Sequence, residues 1–155
     1  MNIKLRTFPL LLLILVLLLS PAIGVHADTG GKWVRMDGKW YYCNSEGDYL
    51  TSWQKIEEVW YYFDEDGVMQ AGWQKVDGKW YFFSPGGAMQ TGWQKVGGKW
   101  YYLNGDGVMQ TGWLSLGNWY YYLAQSGAMA TGWQKIGREC YIFNSGGGIL
   151  TGCQK

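Results

Sequence analysis

The side chains of this chain best suited to recognition chemistry are aromatic, and they are strictly spaced. One tryptophan series falls every 20 residues, at Trp33, Trp53, Trp73, Trp93, Trp113 and Trp133. A second follows seven residues later, at Trp40, Trp60, Trp80 and Trp100, and then changes to Tyr120 and Cys140. A tyrosine comes next in every copy: Tyr41, Tyr61, Tyr81, Tyr101, Tyr121 and Tyr141. Sets of electron-rich ring faces can do two things. They attract a quaternary ammonium, which offers diffuse charge and no hydrogen-bond donor, or they serve as platforms on which sugar faces stack. The bland alternative is that the rings are simply the core of a repeat protein. Against it, two tryptophans and several tyrosines per 20 residues are more indole and phenol than a thin stack can bury with its polar atoms satisfied.

Catalytic chemistry is hard to build from what remains. The chain has a single histidine, His26, and it lies in a leader-like segment. Without histidine there is no Ser-His-Asp or Cys-His nucleophile system and no imidazole metal ligand. The acidic residues all occupy turn or loop slots of the repeat, with no singular cluster. Asp64-Glu65-Asp66-Gly67 could suggest calcium, but the equivalent slots read Ser84-Pro85-Gly86 and Asn104-Gly105-Asp106, so it reads as an acidic turn. The expectation is a non-catalytic chain with no cofactor and no metal.

Residues 1–27 read as a secretory signal peptide. Lys4 and Arg6 make a basic start, Leu10 to Leu19 is almost unbroken apolar sequence, and Val25-His26-Ala27 offers a small-x-small cleavage site. The alternative, an uncleaved anchor, is disfavoured because the apolar run is short for a membrane span. Cleavage would remove two of the 13 basic residues and none of the 12 acidic ones, giving residues 28–155 a net charge of −1. That balance argues against nucleic acid as a partner, since phosphate neutralisation needs a basic surface. It also leaves no membrane span in the mature chain.

The elements that carry the aromatic residues are six 20-residue units, at 32–51, 52–71, 72–91, 92–111, 112–131 and 132–151, with a partial seventh after them. Such a period signals a solenoid. Within one unit, Trp73–Val76 and Lys79–Phe83 are β-rich runs separated by Asp77-Gly78, a two-residue hairpin signal. Glu57-Glu58 is a poor substitute, and a longer or looser turn is expected there. Ser84-Pro85-Gly86-Gly87 is a turn cluster that closes the unit. The fold expected is all-β, a β-solenoid of stacked 20-residue hairpin repeats. A lone hairpin is marginal in water, so Phe63, Phe83, Leu103, Leu123 and Phe143 should form the core between units. Cys43 shares their slot and reads as a small buried hydrophobe. Cys140 and Cys153 replace two tryptophans. Degeneration of the terminal copies is the preferred reading, with a Cys140–Cys153 disulfide as the alternative.

Pairing about Asp77-Gly78 sets Lys75 opposite Trp80 and Trp73 opposite Phe82. Side chains alternate along a strand, so Trp73 and Trp80 emerge on one face as diagonal neighbours. A tyrosine from the next hairpin, such as Tyr101, would close a notch between them, with methionine as its floor. Lys75 and Lys79 read first as solvated turn residues.

The pattern Gly-Trp-Gln-Lys-Val-Asp-Gly-Lys-Trp-Tyr-Phe-Phe, followed by Gly-x-Met-x-Thr-Gly-Trp, closely resembles the choline-binding repeats of Gram-positive cell-wall proteins. The resemblance runs from Trp33 to Lys155. It implies a left-handed β-solenoid that holds choline or phosphocholine of teichoic or lipoteichoic acid in aromatic cages between repeats. It therefore implies a secreted protein attached non-covalently to the wall of a Gram-positive bacterium. Carried over unit by unit, the expected cages are Trp33/Trp40/Tyr61, Trp53/Trp60/Tyr81, Trp73/Trp80/Tyr101, Trp93/Trp100/Tyr121 and Trp113/Tyr120/Tyr141. The fifth should be weaker, with Trp119 complicating its register, and no site is expected in the sixth unit, where Cys140 replaces a wall. Two points stay open: whether the first or the second tyrosine closes each cage, and whether the chain dimerises. Related repeats bind oligosaccharides, which is the alternative function.

Overall fold

A computed structural model describes residues 30–152, and the leader assigned to residues 1–27 lies outside that range. The described chain is a series of short strands: β1 (Lys32–Met36), β2 (Lys39–Cys43), β3 (Ser52–Ile56), β4 (Val59–Phe63), β5 (Gly72–Val76), β6 (Lys79–Phe83), β7 (Gly92–Val96), β8 (Lys99–Leu103), β9 (Gly112–Leu116), β10 (Trp119–Leu123), β11 (Gly132–Ile136), β12 (Glu139–Phe143) and β13 (Ile149–Gly152). Consecutive strands pair as antiparallel hairpins, each forming its own sheet, and β13 adds a third strand to the last. No described helix is long and apolar enough to cross a membrane.

Every hairpin uses a two-residue turn. In β5–β6 the register is Val76↔Lys79, Lys75↔Trp80 and Trp73↔Phe82. Asp77 and Gly78 have φ of 48° and 78°. Positive φ at both central positions matches the turn to the right-handed twist of the strands. The β3–β4 turn departs from expectation. It is neither longer nor looser: Ile56 pairs with Val59, and Glu57 and Glu58 sit at φ of 49° and 65°. Two non-glycine residues here accept a backbone region that costs about 1–2 kcal/mol each. Glu58 also ion-pairs with Lys55 across that turn.

After most of the hairpins the chain makes a loop held by the side chain of its first residue. Asn104 Oδ1 accepts hydrogen bonds from the amides of Asp106 (3.1 Å) and Val108 (2.8 Å). Asn44 and Asn144 repeat the pattern. Asp64 does the same through Oδ1, and its Oδ2 accepts from Gln70 Nε2. Its carboxylate is thus used as a loop clip, in keeping with an acidic turn rather than a calcium loop. Ala124 occupies the same slot and cannot accept. Ala124→Asn should therefore stabilise the protein by about 1 kcal/mol, read as a shift in a chemical-denaturation midpoint.

Two kinds of contact join one unit to the next. The amides of Met69, Met89, Met109 and Met129 donate to the carbonyls of Trp40, Trp60, Trp80 and Trp100 in the preceding unit, at 2.7–2.8 Å. The second contact is apolar. Because side chains alternate, Trp53, Trp60 and Tyr62 share one face of their hairpin, while Tyr61 and Phe63 point back at the unit before. Phe63, Phe83, Leu103 and Leu123 are fully buried there, and Phe143 nearly so. Cys43 in the same slot is buried too. Cys140 is partly exposed, and Cys153, with any bridge between them, lies outside the described residues.

Candidate functional site: aromatic cages between hairpins

The expected aromatic sets converge between successive hairpins. Trp33 and Trp40 lie 6.3 Å apart with planes at 89°. The pairs Trp53/Trp60, Trp73/Trp80 and Trp93/Trp100 repeat this at 6.2, 6.4 and 6.5 Å, all at 88°. The near-right angle follows from diagonal positions on a twisted two-stranded ribbon. The third ring comes from the next hairpin. Tyr61, Tyr81, Tyr101, Tyr121 and Tyr141 stand 4.8–5.0 Å from Trp33, Trp53, Trp73, Trp93 and Trp113.

Alternation along the strand separates the roles of the two aromatic positions after the tryptophan. The first faces back toward the preceding unit's cage. The second (Tyr42, Tyr62, Phe82, Tyr102 or Tyr122) packs across the strands on its own unit's tryptophan, at 5.0–5.3 Å. It supports a wall from behind rather than closing the notch from the next hairpin.

None of the 11 tryptophans is buried. The outer walls Trp40, Trp80 and Trp100 are 38–41% exposed. The lattice is therefore a surface feature, laid over a core made by the smaller back-face residues. At the third cage the walls enclose a cleft of about 380 Å³, lined by Trp73, Trp80, Tyr101, Met109, Gln125 and Ser126. Met109 comes from the unit that supplies Tyr101. The methionines are seated by glycine: a Cβ on Gly127 would lie 2.3 Å from Met109 Sδ. Gln125 and Ser126 were not foreseen. They belong to the loop of the unit two places along, so this cleft is built by three successive units.

The electrostatics suit a cation. Burial, then the charge of Glu57, pushes the Tyr61 phenol above its ordinary pKa. Tyr81 is raised by burial, then by Asp77 and Asp106. These hydroxyls stay neutral at physiological pH. The chain already places its own cations on two walls. The Arg35 guanidinium lies 5.7 Å from the Trp40 ring centroid, and the Lys95 ammonium 5.8 Å from that of Trp100.

The last two units differ. Trp113 meets Tyr141, but Tyr120 stands mostly exposed. Trp119 does not disturb the register, since Tyr120 faces Ser115 as Trp80 faces Lys75. Its ring packs instead over Gly148, where a Cβ would come within 2.6 Å of it. Trp133 is 69% exposed, the most open tryptophan of the chain. No group of three or more acidic, cysteine or histidine side chains able to hold a metal occurs among the described residues.

Comparison with known proteins agrees with this architecture. The choline-binding repeat profile matches residues 50–91 and again 90–131, and a cell wall binding repeat profile matches residues 31–49. Choline binding protein F from Streptococcus pneumoniae superimposes with a TM-score of 0.74 at 43% identity, over 76% of this chain and 41% of that one. CbpJ from Streptococcus pneumoniae TIGR4 gives 0.73 at 42% identity, over 77% and 45%. A multimodular pneumococcal cell wall endolysin from phage Cp-1, solved with choline, gives 0.58 at 36% identity, over 78% and 37%. The chain thus spans less than half the length of each of these proteins. Comparison with curated proteins gives no match. With its repeat profile matched across most of the six units and its hairpins stacked about aromatic clusters, the chain belongs to the choline-binding repeat family.

Proposed function

We propose that this chain binds choline, as the trimethylammonium group of wall teichoic or lipoteichoic acid, and so attaches non-covalently to a Gram-positive cell wall without catalysing a reaction. The observation that carries the reading is the cleft between the third and later units. Two indoles stand at right angles, a tyrosine from the next hairpin closes them, and a methionine lies beneath. Such a hole offers ring faces and apolar contact, which is what a quaternary ammonium needs. Repetition of the cage suits a polymer bearing many such groups, because weak sites in a row engage it by avidity. Choline in the phage endolysin structure supports the ligand class. The leader at residues 1–27 would deliver the chain to the outside of the cell, where the polymer is.

The test is calorimetric titration of residues 28–155 with choline and, separately, with an isomalto-oligosaccharide. Heat with choline at about four sites is expected. Heat with the sugar alone would move the chain to the oligosaccharide-binding relatives, and silence with both would remove the proposal.

A further inference from the structure

The cages share their rings but differ in the charges around them. Because the third cleft is built by three units, a slot outside the aromatic set lines it: the loop two units on, where Ser126 stands. The hairpin turn that precedes the closing tyrosine is the other place where charge varies from cage to cage. In the second cage, Trp53/Trp60/Tyr81, the turn slot is Asp77 and the loop slot is Asp106. Asp106 holds at the second cage the slot that Ser126 holds at the third, and both carboxylates act electrostatically on Tyr81, after burial and in that order. Neither carboxylate has a hydrogen bond or ion pair among the described residues. In the first cage the turn slot is Glu57, which acts on Tyr61, but the loop slot is Gly86, so only one of the two slots is charged. In the third cage the same slots hold Gly97 and Ser126, and in the fourth Gly117 and Gly146.

The cations on the front faces sharpen the contrast. Arg35 lies over Trp40 in the first cage and Lys95 over Trp100 in the fourth, each holding a positive charge against a wall. In the second cage the corresponding Lys55 is ion-paired with Glu58.

We propose that the cages are graded by charge and that Trp53/Trp60/Tyr81 is the tightest site for a quaternary ammonium, with Asp77 and Asp106 as its affinity-determining residues. This rests on the choline reading above and adds to it a ranking of sites. The carboxylates attract the ligand's charge without touching it, so they act on cations and not on the cage's apolar grip. Both carboxylates are exposed, and exposed charge pairs change affinity by at most about two- to fivefold, an effect that salt weakens.

The experiment isolates one cage at a time. Trp40, Trp80, Trp100 and Tyr120 are exposed, and replacing all four by alanine leaves the second cage intact. Replacing Trp40, Trp60, Trp100 and Tyr120 instead leaves the third. Folding of both is checked by circular dichroism. The second-cage protein should bind choline about two- to fivefold more tightly than the third-cage protein at low salt, with the gap closing at high salt. Asp77→Asn with Asp106→Asn should erase the advantage. These changes remove charge only, and asparagine tolerates the positive φ at position 77. The neutral isostere 3,3-dimethylbutan-1-ol should bind equally well with and without them. Choline binding unchanged by the double substitution, or equal loss for choline and the isostere, would overturn the ranking while leaving the choline reading standing. No choline binding by either single-cage protein, with none by the unaltered chain, would bring down both.

Discussion

Truncating Phe83 to alanine should lower stability by about 3–5 kcal/mol, the range for emptying a buried aromatic site. Phe83 is fully buried at the joint between the second and third units, its ring 5.6 Å from Trp53 and 6.5 Å from Tyr62. It is also bridged to Met89, whose amide binds the carbonyl of Trp60. A repeat array is held by nearest-neighbour interfaces, so the loss falls on one joint. The expected signature in a urea titration followed by circular dichroism is an early transition, with the two units before Phe83 separating from those after it. A change below about 1 kcal/mol would mean that the tryptophans, and not the back-face residues, carry the core.

Trp80→Ala should do the opposite: little to stability and much to binding. Its indole is 40% exposed and forms the outer wall of the third cage, 6.4 Å from Trp73 and at right angles to it. Removing it strips one ring face and its apolar contact from the cation. At about 1–2 kcal/mol for a partly desolvated cation–π contact, the third cage should lose roughly five- to thirtyfold in affinity. Titration should then count one site fewer, while the thermal midpoint of the unliganded protein stays within a few degrees. Undiminished stoichiometry would remove Trp80 from the site.

Much of this was legible in the sequence because the governing rules are local. The 20-residue period located the units. Alternation placed Phe63, Phe83 and Leu103 behind the hairpin and Trp73 and Trp80 together in front. Asp77-Gly78 set the register. Glu57-Glu58 misled because residue preference is a weak guide: both glutamates accept positive φ, and the two-residue turn closes there as it does in the other units. Gln125 and Ser126 were invisible for another reason. Their place at the third cage depends on the rotation from each hairpin to the next, and no single unit's residues report that angle. Likewise, nothing in the spacing of Trp119 indicated that it would lie on Gly148.

The cages straddle joints. Each takes two walls from one unit and its closing tyrosine and methionine from the next, as Trp73 and Trp80 do with Tyr101 and Met109. A guest held there grips both sides of a seam that must open when the stack flexes. A guest that binds the closed seam and not the open one adds RT ln(1 + [L]/Kd) to each joint it fills. A loaded stack is then a stiffer rod than an empty one. Drag on a wall polymer that occupies consecutive seams would be resisted by the whole length of the rod instead of by its weakest link.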